Sequence, residues 1–387
     1  MATNNNNKAL NVPHLRFPEF TEEWKNTSLG KIGKTFNGLT GKSGSDFGQG
    51  FPYITYKSIF DNSKIDISRV EYVEITDVER KKETQNKVQY GDVFFTTSSE
   101  TPDEVGMSSV LLDEIKDCYL NSFCFGYRLN SLSKTVPEYM RFYLRSQTIR
   151  KKMFVLAQGS TRFNISKSEV MGMSINIPEI EEQRKIANLL TLLDDRIATQ
   201  NKIIERLETL IKGITQNITL HNKPNVRISE CLECTSSTLQ ESDALRSGTY
   251  PVYGANGIVG YLDNYSTQDE AVYIIKDGSG VGTVSYVTGQ CSTTGTLNTL
   301  QAKEGYSLQY LYYILKVFNF EPYKTGMAIP HIYFKDYGKA KIFCPSYTKQ
   351  LQYARLLSAI DGKVSTEQNS LASLSLQKQY LLRQMFI

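Results

Sequence analysis

Apolar residues recur at alternating spacings of four and three along two long segments of the chain. Gln200 is the polar member of the first stripe, and Glu367 occupies the matching position of the second. A seven-residue repeat kept over about four heptads is typical of a coiled coil. Each segment is therefore predicted to be one long helix. The seam positions are Ile186, Leu190, Leu193, Ile197, Gln200, Ile204, Leu207, Ile211, Ile214 and Ile218, then Tyr353, Leu357, Ile360, Val364, Glu367, Leu371, Leu374, Lys378, Leu381 and Met385.

The second segment repeats the first at a constant offset of 326 − 159 = 167 residues, counted from Gly326 and Gly159. No gap is needed along the loop, the proline and the helix that follow. Internal repetition of this kind indicates two copies of one module. The matched pairs include Ile165 with Ile332, Pro178 with Pro345, Gln183 with Gln350, Ala187 with Ala354 and Asp194 with Asp361.

Two helices related by a pseudo-two-fold axis would pair antiparallel. Gln200 and Glu367 lie near the middle of their stripes and should then face each other, which would fix the register of the coiled coil. The seam would extend over roughly 50 Å and separate two globular ends. A helical hairpin buried within one core is the alternative.

The segments between the helices have a different pattern, in which short β-type runs alternate with Gly, Ser, Asn and Asp turns. Val93–Thr97 and Ala271–Ile275 are predicted strands, and Glu138–Gln147 and Ser307–Lys316 are predicted short helices. The fold class is therefore α+β: two tandem mixed α/β domains separated by two long helices that pair as an antiparallel coiled coil. The predicted segments are 1–178, 179–220, 221–345 and 346–387.

Composition narrows the class of protein further. A length of 387 residues suggests two or three domains. Cys231 and Cys234 form an isolated Cys-x-x-Cys without a second pair, and the chain has three histidines, so no metal site is expected. The polar run Met1–Leu10 has no apolar core, and no apolar stretch reaches ~18 residues. We expect a cytoplasmic, soluble protein with no bound cofactor and no membrane partner.

Signatures of catalysis are weak. Gly41-Lys42-Ser43 resembles the end of a phosphate-binding loop, but Phe36 stands where the first glycine belongs. Asp103, Glu114 and Lys116 are residue types that a magnesium-dependent nuclease uses. Surface loops in a chain with 22% charged residues produce such patterns readily. We therefore predict no catalytic residues, and a self-contained endonuclease remains the alternative.

Charge favours a polyanionic partner only mildly, because 44 Lys and Arg residues stand against 40 Asp and Glu residues. Its distribution is more informative: an acid-free basic stretch lies beside the Gly159-Ser160-Thr161 turn. Such side chains suit DNA phosphates, and a solvated helix face is the alternative. The basic residues are Arg141, Arg145, Arg150, Lys151, Lys152 and Arg162, and Lys324, Lys335, Lys339 and Lys341 would serve the second module.

Several motifs, and their order along the chain, resemble those of one protein family. They are Pro13-x-Leu15-Arg16-Phe17-Pro18, then Pro178 with Glu182-Gln183 and Ile186-Ala187, then Tyr250–Ile258, then Asp277-Gly278-Ser279-Gly280. Together with the two-copy helical layout, the chain resembles the DNA specificity subunit of a type I restriction–modification system over nearly its whole length.

The resemblance implies two target-recognition domains, each reading one half of a split double-stranded DNA site. It also implies two modification (methylation) subunits and restriction (translocase and nuclease) subunits as partners. Those partners would use S-adenosylmethionine, ATP and Mg²⁺. By the same resemblance, the DNA-binding candidates are Lys42, Ser43, Lys57, Ser160, Thr161, Arg162, Tyr253, Gly254, Asn256, Gly257, Lys276, Asp277 and His331. A protein-interaction scaffold that does not bind DNA is a further alternative.

Overall fold

The structure is a computed structural model that describes residues 11–82, 86–326 and 329–387. The run Met1–Leu10, together with Met327 and Ala328 of the second predicted loop, lies outside these residues. The chain divides into two compact units. Unit 1 extends to Ala198 and includes Ala372–Ile387, and unit 2 is Thr199–Leu371.

Short strands dominate both units, and the predicted strands at Val93 and Ala271 are confirmed. The strands are β1 (Lys25–Ser28), β2 (Gly33–Asn37), β3 (Phe47–Ile54), β4 (Glu71–Val73), β5 (Val93–Thr96), β6 (Ser98–Ser99), β7 (Ser108–Val110), β8 (Tyr119–Leu120), β9 (Cys124–Leu129), β10 (Phe163–Asn164), β11 (Ser174–Ile177), β12 (Val226–Arg227), β13 (Leu232–Ser236), β14 (Tyr250–Gly254), β15 (Gly257–Leu262), β16 (Glu270–Ile275), β17 (Val284–Thr288), β18 (Ser292–Thr293), β19 (Leu297–Ala302) and β20 (Lys341–Ile342).

Two of the helices are long and the others are short. The helices are α1 (Leu29–Ile32), α2 (Tyr56–Asp61), α3 (Asp77–Lys82), α4 (Pro137–Tyr143), α5 (Gln147–Leu156), α6 (Lys167–Gly172), α7 (Ile180–Leu220), α8 (Ile228–Cys231), α9 (Leu308–Val317), α10 (Phe334–Tyr337) and α11 (Tyr347–Gln384).

The internal repeat extends to the sheet topology. Unit 1 has a four-stranded antiparallel sheet in the order β2-β9-β5-β7 and a three-stranded sheet in the order β4-β3-β8. Unit 2 has the same arrangement, with β13-β19-β16-β17 and β15-β14-β18. In each three-stranded sheet the middle strand pairs antiparallel with one neighbour and parallel with the other. The two modules are therefore copies of one fold, although their first halves differ in sequence.

Matched glutamines attach each long helix to its own domain. The Gln183 side chain accepts a hydrogen bond from the Val136 amide at 2.9 Å and donates to the Pro178 carbonyl at 2.9 Å. Gln350, one repeat later, accepts from the Ser307 amide at 2.9 Å and donates to the Pro345 carbonyl at 2.9 Å. Both glutamine side chains are buried, so each one satisfies a backbone amide that would otherwise lack a partner.

In unit 1 the first part of α7 packs with the last part of α11. Ile186 and Leu190 belong to the same buried cluster as Leu381, Met385 and Phe386. The beginning of one helix therefore lies beside the end of the other, which is the predicted antiparallel arrangement. The cluster also contains the domain's own core residues, among them Trp24, Phe95, Phe125 and Tyr139.

In unit 2 the second part of α7 packs with the first part of α11, and Ile211 and Ile218 share a buried cluster with Leu357 and Val364. The Gln200 amide donates to the Glu367 carbonyl at 3.1 Å and also bonds to the Glu367 carboxylate. The predicted pairing of these residues is confirmed. The alternative of a hairpin within one core is wrong, because the two halves of each long helix belong to two separate cores.

Two boundaries differ from the sequence interpretation. The predicted helix Glu138–Gln147 is wrong as one element: α4 ends at Tyr143, and the Ser146 side chain then accepts from the Ile149 amide at the start of α5. The division into units also falls inside α7 and α11 rather than at 178, 220 and 345, because the two ends of each helix pack into different cores. The four predicted segments themselves stay a prediction.

Candidate functional site

A loop in unit 1 turns back and attaches to the end of a core strand. The amides of Gln158 and Asn164 each donate to the carbonyl of the other, at 2.9 and 2.8 Å. The Ile165 amide then donates to the Thr97 carbonyl at 2.9 Å, just after β5. The loop therefore presents residues 159–163 beside the end of β5.

Unit 2 repeats the same set of bonds one repeat later. The amides of Thr325 and His331 donate to each other's carbonyls at 2.9 and 2.8 Å, and the Ile332 amide donates to the Lys276 carbonyl at 2.9 Å. Lys276 follows β16, which corresponds to β5 in the matching sheet. We call residues 158–164 with 97–99 the loop–strand junction of unit 1, and residues 325–326 and 329–331 with 276–278 the loop–strand junction of unit 2.

A glycine starts the loop of each junction for a steric reason. Gly159 has φ 136° and Gly326 has φ 89°, a region that is costly for any residue with a Cβ atom. A Cβ atom at Gly159 would collide with the Arg162 carbonyl oxygen, and one at Gly326 would collide with the Ile329 carbonyl oxygen. The two glycines that begin the sequence repeat are therefore required by the same turn.

Three predicted residues of unit 1 lie together on its junction. Ser160, Thr161 and Arg162 are exposed in the turn of the loop. One Arg162 guanidinium nitrogen lies 3.3 Å from the Ser98 hydroxyl oxygen of β6. This contact directs a cation across the junction.

The other predicted residues of unit 1 have partners within the domain. Lys42 Nζ donates to both carboxylate oxygens of Glu79, at 2.7 and 2.8 Å. These bonds hold the pKa of Glu79 at about 2. Ser43 bonds to Asp46. Lys57 is exposed on α2 and pairs with Asp61 at 2.6 Å, so of these residues it is the most accessible cation.

Two predicted residues of unit 2 are neighbours at its junction. Asp277 and His331 face each other across an antiparallel bridge, and the Gly278 amide donates to the Pro330 carbonyl at 2.9 Å. The His331 ring lies 5.1 Å from the Tyr333 ring, edge to face. Lys276 immediately precedes Asp277. The fold thus brings His331 beside Lys276 and Asp277, which come more than fifty residues earlier in the sequence.

The remaining predicted residues of unit 2 lie in and beside the β14–β15 hairpin. Asn256 is exposed at the turn, and Gly257 has φ 102°. Tyr253 packs against Tyr273 with ring centroids 5.8 Å apart, and burial raises the pKa of its hydroxyl. Tyr253, Gly254 and Gly257 line a cleft of about 470 Å³ whose far wall is formed by β16 and β17.

Three of the six residues in the basic stretch are engaged within unit 1. Arg141 pairs with Asp194 at 2.6 Å, and both side chains are largely buried. Arg145 donates to the carbonyls of Ile59, Phe60, Asn62 and Ser108, all at 2.6–2.9 Å. Arg150 donates to three further carbonyls, at 2.6–2.9 Å. The prediction that these three arginines are available to DNA phosphates is wrong, because Arg141 pairs with a carboxylate and Arg145 and Arg150 bond to main-chain carbonyls.

Sequence reasoning missed a cleft of about 870 Å³ beside the junction of unit 1. Its walls come from α2, from β6, from the turn after β6 and from the Thr161-Arg162 segment. They include Tyr56, Phe60, Ser98, Glu100, Glu104 and Arg162. No periodicity joins these residues, so the sequence gives no signal that they lie together.

Burial affects the chemistry of the thiols. Burial raises the pKa of the Cys118 thiol to about 12, and a hydrogen bond with Cys231 together with burial raises the pKa of Cys344. Cys231 therefore has a neighbour outside its own Cys-x-x-Cys. Among residues 11–82, 86–326 and 329–387, no three His, Cys, Asp or Glu side chains form a group that could hold a metal ion. Across the same ranges, no helix has the length and apolarity that crossing a bilayer requires.

Comparison with known protein families finds a match to each copy of the module. The family model described as "Type I restriction modification DNA specificity domain" matches residues 21–209 and again residues 224–376. These ranges include both junctions and most of both long helices. The chain belongs to this family.

Two members of the family resemble this chain in sequence. The putative type I restriction enzyme MjaX specificity subunit of Methanocaldococcus jannaschii is 28% identical over 214 residues, which are 54% of this chain and 49% of the relative. The type I restriction enzyme EcoprrI specificity subunit of Escherichia coli is 26% identical over 195 residues, which are 50% of this chain and 43% of the relative. The alignments thus span about half the length of these relatives.

A solved structure shares the fold of this specificity protein. The S subunit of a type I restriction–modification system from M. genitalium superposes with a TM-score of 0.67 and 16% identity, covering 97% of this chain and 99% of the other. The tandem domains and the paired long helices are therefore the architecture of that S subunit as well.

Proposed function

We propose that this specificity protein recognises a split double-stranded DNA site, with one half read at each loop–strand junction. The observation that carries the proposal is the duplication of the junction: the same pattern of hydrogen bonds recurs with its loop residues 167 positions later, while the exposed residues differ. Duplicated scaffolds with different exposed side chains suit two different half-sites. Contacts to phosphates would set the position, and contacts to base edges would supply specificity.

The junctions, together with α2 and the β14–β15 hairpin, have the side chains that DNA contacts require. Arg162 and Lys57 in unit 1, and Lys276 in unit 2, supply cations for phosphates or guanine edges. Asn256 and His331 supply amide and imidazole groups. The sequence-predicted residues Ser160, Thr161 and Asp277 complete the polar surface of the two junctions.

The catalytic steps belong, in this proposal, to partner subunits. Two modification subunits would use S-adenosylmethionine to methylate adenine, and restriction subunits would use ATP and Mg²⁺ to translocate and cleave. The specificity protein would bring them to the site, and the paired helices α7 and α11 would set the gap between the two half-sites.

The test is single-molecule sequencing of methylated adenines in cells that carry this chain and its cognate modification subunit. A matched strain lacks only this chain. The proposal expects a motif of two short blocks around a fixed gap that disappears in the matched strain. Methylation that is unchanged without the chain would contradict it.

Purified chain separates the two remaining alternatives. A self-contained endonuclease would nick duplex DNA with Mg²⁺ alone, and substitution of Asp103 or Glu114 would abolish the nicking. A protein-interaction scaffold would show no salt-dependent affinity for duplex DNA. The proposal expects weak, salt-dependent binding by the chain and no nicking.

A further inference from the structure

The cleft beside the unit 1 junction combines opposite charges that do not neutralise each other. Arg162 lies on one wall, and Glu100 and Glu104 lie on another. Arg162 contacts the Ser98 hydroxyl, and Glu104 accepts from hydroxyl groups on its own wall of the cleft. The cleft therefore offers donors and acceptors to a ligand at the same time.

Glu104 is held in place by neighbouring hydroxyl groups. Its Oε2 atom accepts hydrogen bonds from Thr101 Oγ1 at 2.8 Å and from Ser99 Oγ at 3.2 Å. These bonds use one carboxylate oxygen and leave the other with acceptor capacity. A carboxylate fixed in this way is prepared to accept a hydrogen bond from a ligand.

The opposite wall of the cleft is ordered as well. Tyr56 and Phe60 stack with centroids 5.8 Å apart, and the Tyr56 hydroxyl donates to the Ser98 carbonyl at 2.7 Å. The Ser98 hydroxyl oxygen lies 3.3 Å from an Arg162 nitrogen. Ser98 thus connects the aromatic wall to the guanidinium, and Tyr56 and Ser98 act as positioning residues.

A carboxylate on a DNA-facing surface repels phosphates, so it favours contact with a base edge. In the major groove cytosine presents an amino donor, and guanine presents two acceptors that match the guanidinium fork. Adenine also presents an amino donor, but thymine offers the guanidinium a single acceptor and a methyl group. A G·C pair is therefore the base pair that engages both the carboxylate and the two-donor fork of the guanidinium.

Given the proposed function, on which this step rests, we propose that the unit 1 cleft reads one G·C base pair. Arg162 donates to O6 and N7 of guanine, and Glu104 accepts from the N4 amino group of cytosine. Ser99 and Thr101 position the carboxylate. Half-site recognition by unit 1 therefore includes a G·C pair at a position where the two strands are not interchangeable.

The experiment uses the full chain in complex with its cognate modification subunit. Duplexes carry the complete site with each base pair of the two half-sites replaced in turn, and the affinity is measured for each. The variants are Arg162→Lys, which keeps the charge but removes the fork, and Glu104→Gln, which removes the charge but keeps the shape. Glu304→Gln, in an exposed turn of unit 2, is the charge-matched control.

We expect both variants to lower discrimination at one and the same G·C position, by roughly 10-fold to 100-fold. The other half-site and the control should keep the parent pattern. The inference is overturned if Arg162→Lys leaves every preference unchanged, if the variants weaken all duplexes equally, or if they act at an A·T pair. The absence of any split site for the parent complex would instead overturn the proposed function, and this inference with it.

Discussion

Gln200 donates a hydrogen bond to the carbonyl of Glu367, at 3.1 Å, in the seam between α7 and α11. The two residues occupy the same position in the two copies of the module, because 367 − 200 = 167. In an antiparallel pair related by a pseudo-two-fold axis, equivalent positions face each other only at the midpoint. A polar pair at that point specifies one register, since a shift by a heptad would place each side chain against apolar residues.

Replacing Gln200 alone should destabilise the protein. Gln200→Leu removes the hydrogen bonds from Gln200 to Glu367, while the Glu367 carboxylate keeps Lys363 as a partner, and we expect a loss in the free energy of unfolding. The double variant Gln200→Leu with Glu367→Leu should be close to neutral or stabilising, because both polar groups are removed together. Urea denaturation measures the free energy of unfolding of the single and the double variants. A double variant that loses the sum of the two single losses would contradict this account.

The two matched glutamines should contribute equally to stability. Gln183→Ala removes the acceptor of the buried Val136 amide, and Gln350→Ala removes that of the Ser307 amide. Each should cost about 1–3 kcal/mol. Gln368→Ala, at an exposed position of α11, is the control and should change stability by less than about 0.5 kcal/mol. Denaturation curves that do not separate Gln183→Ala from the control would show that this attachment is dispensable.

The Glu79 carboxyl group should titrate at a far lower pH than an unperturbed glutamate. Its bonds to Lys42 and to Thr76 lower its pKa from an ordinary 4.5 to about 2. A lowered folded-state pKa adds stability that is fully present above 4.5 and is lost as the pH falls through about 2. Lys42→Met should raise the pKa of Glu79 toward 4.5 and remove that part of the acid dependence. NMR titration of the carboxyl groups in the parent protein and in Lys42→Met measures this pKa. An unchanged Glu79 pKa in Lys42→Met would refute the pairing of Lys42 with Glu79.

Matched insertions should lengthen the DNA gap if the helices set it. One heptad after Ile204 in α7 and one after Ile360 in α11 keep the seam in register and add about 10 Å, or about three base pairs. An insertion in α7 alone should break the pairing of Gln200 with Glu367 and reduce stability. The methylated motif reports the gap. If the gap between the half-sites keeps its original length after matched insertions, the helices do not determine it.

The long helices and the repeat were predictable because they depend on local period. Ile186 and Leu357 are buried where the heptad pattern places them, and Gln200 meets Glu367 where the repeat requires. Sequence alone also located Gly159 and Gly326, since a turn with positive φ needs glycine in both copies.

Contacts between distant residues were not predictable in this way. The sequence predicted that Arg145 and Arg150 contact phosphates, but they bind main-chain carbonyls that lie 37 to 86 residues away along the chain. Lys42 is paired with Glu79, which is 37 residues further along the chain. Glu104 lines the unit 1 cleft because the turn after β6 places it there, and no sequence pattern indicated this position. Such partners depend on tertiary packing, which neither composition nor spacing encodes.

The central claim is that each junction reads its own half-site, and two glycine variants test it most directly. Gly159→Ala distorts the unit 1 loop and Gly326→Ala the unit 2 loop, whereas Gly44→Ala is a control because its Cβ atom would meet no heavy atom within 4 Å. Methylated adenines are sequenced in strains that carry each variant with the cognate modification subunit. The account predicts that Gly159→Ala relaxes or abolishes recognition of one block, that Gly326→Ala does so for the other, and that Gly44→Ala keeps both. Variants that alter the same block, or that leave both blocks intact, would contradict it.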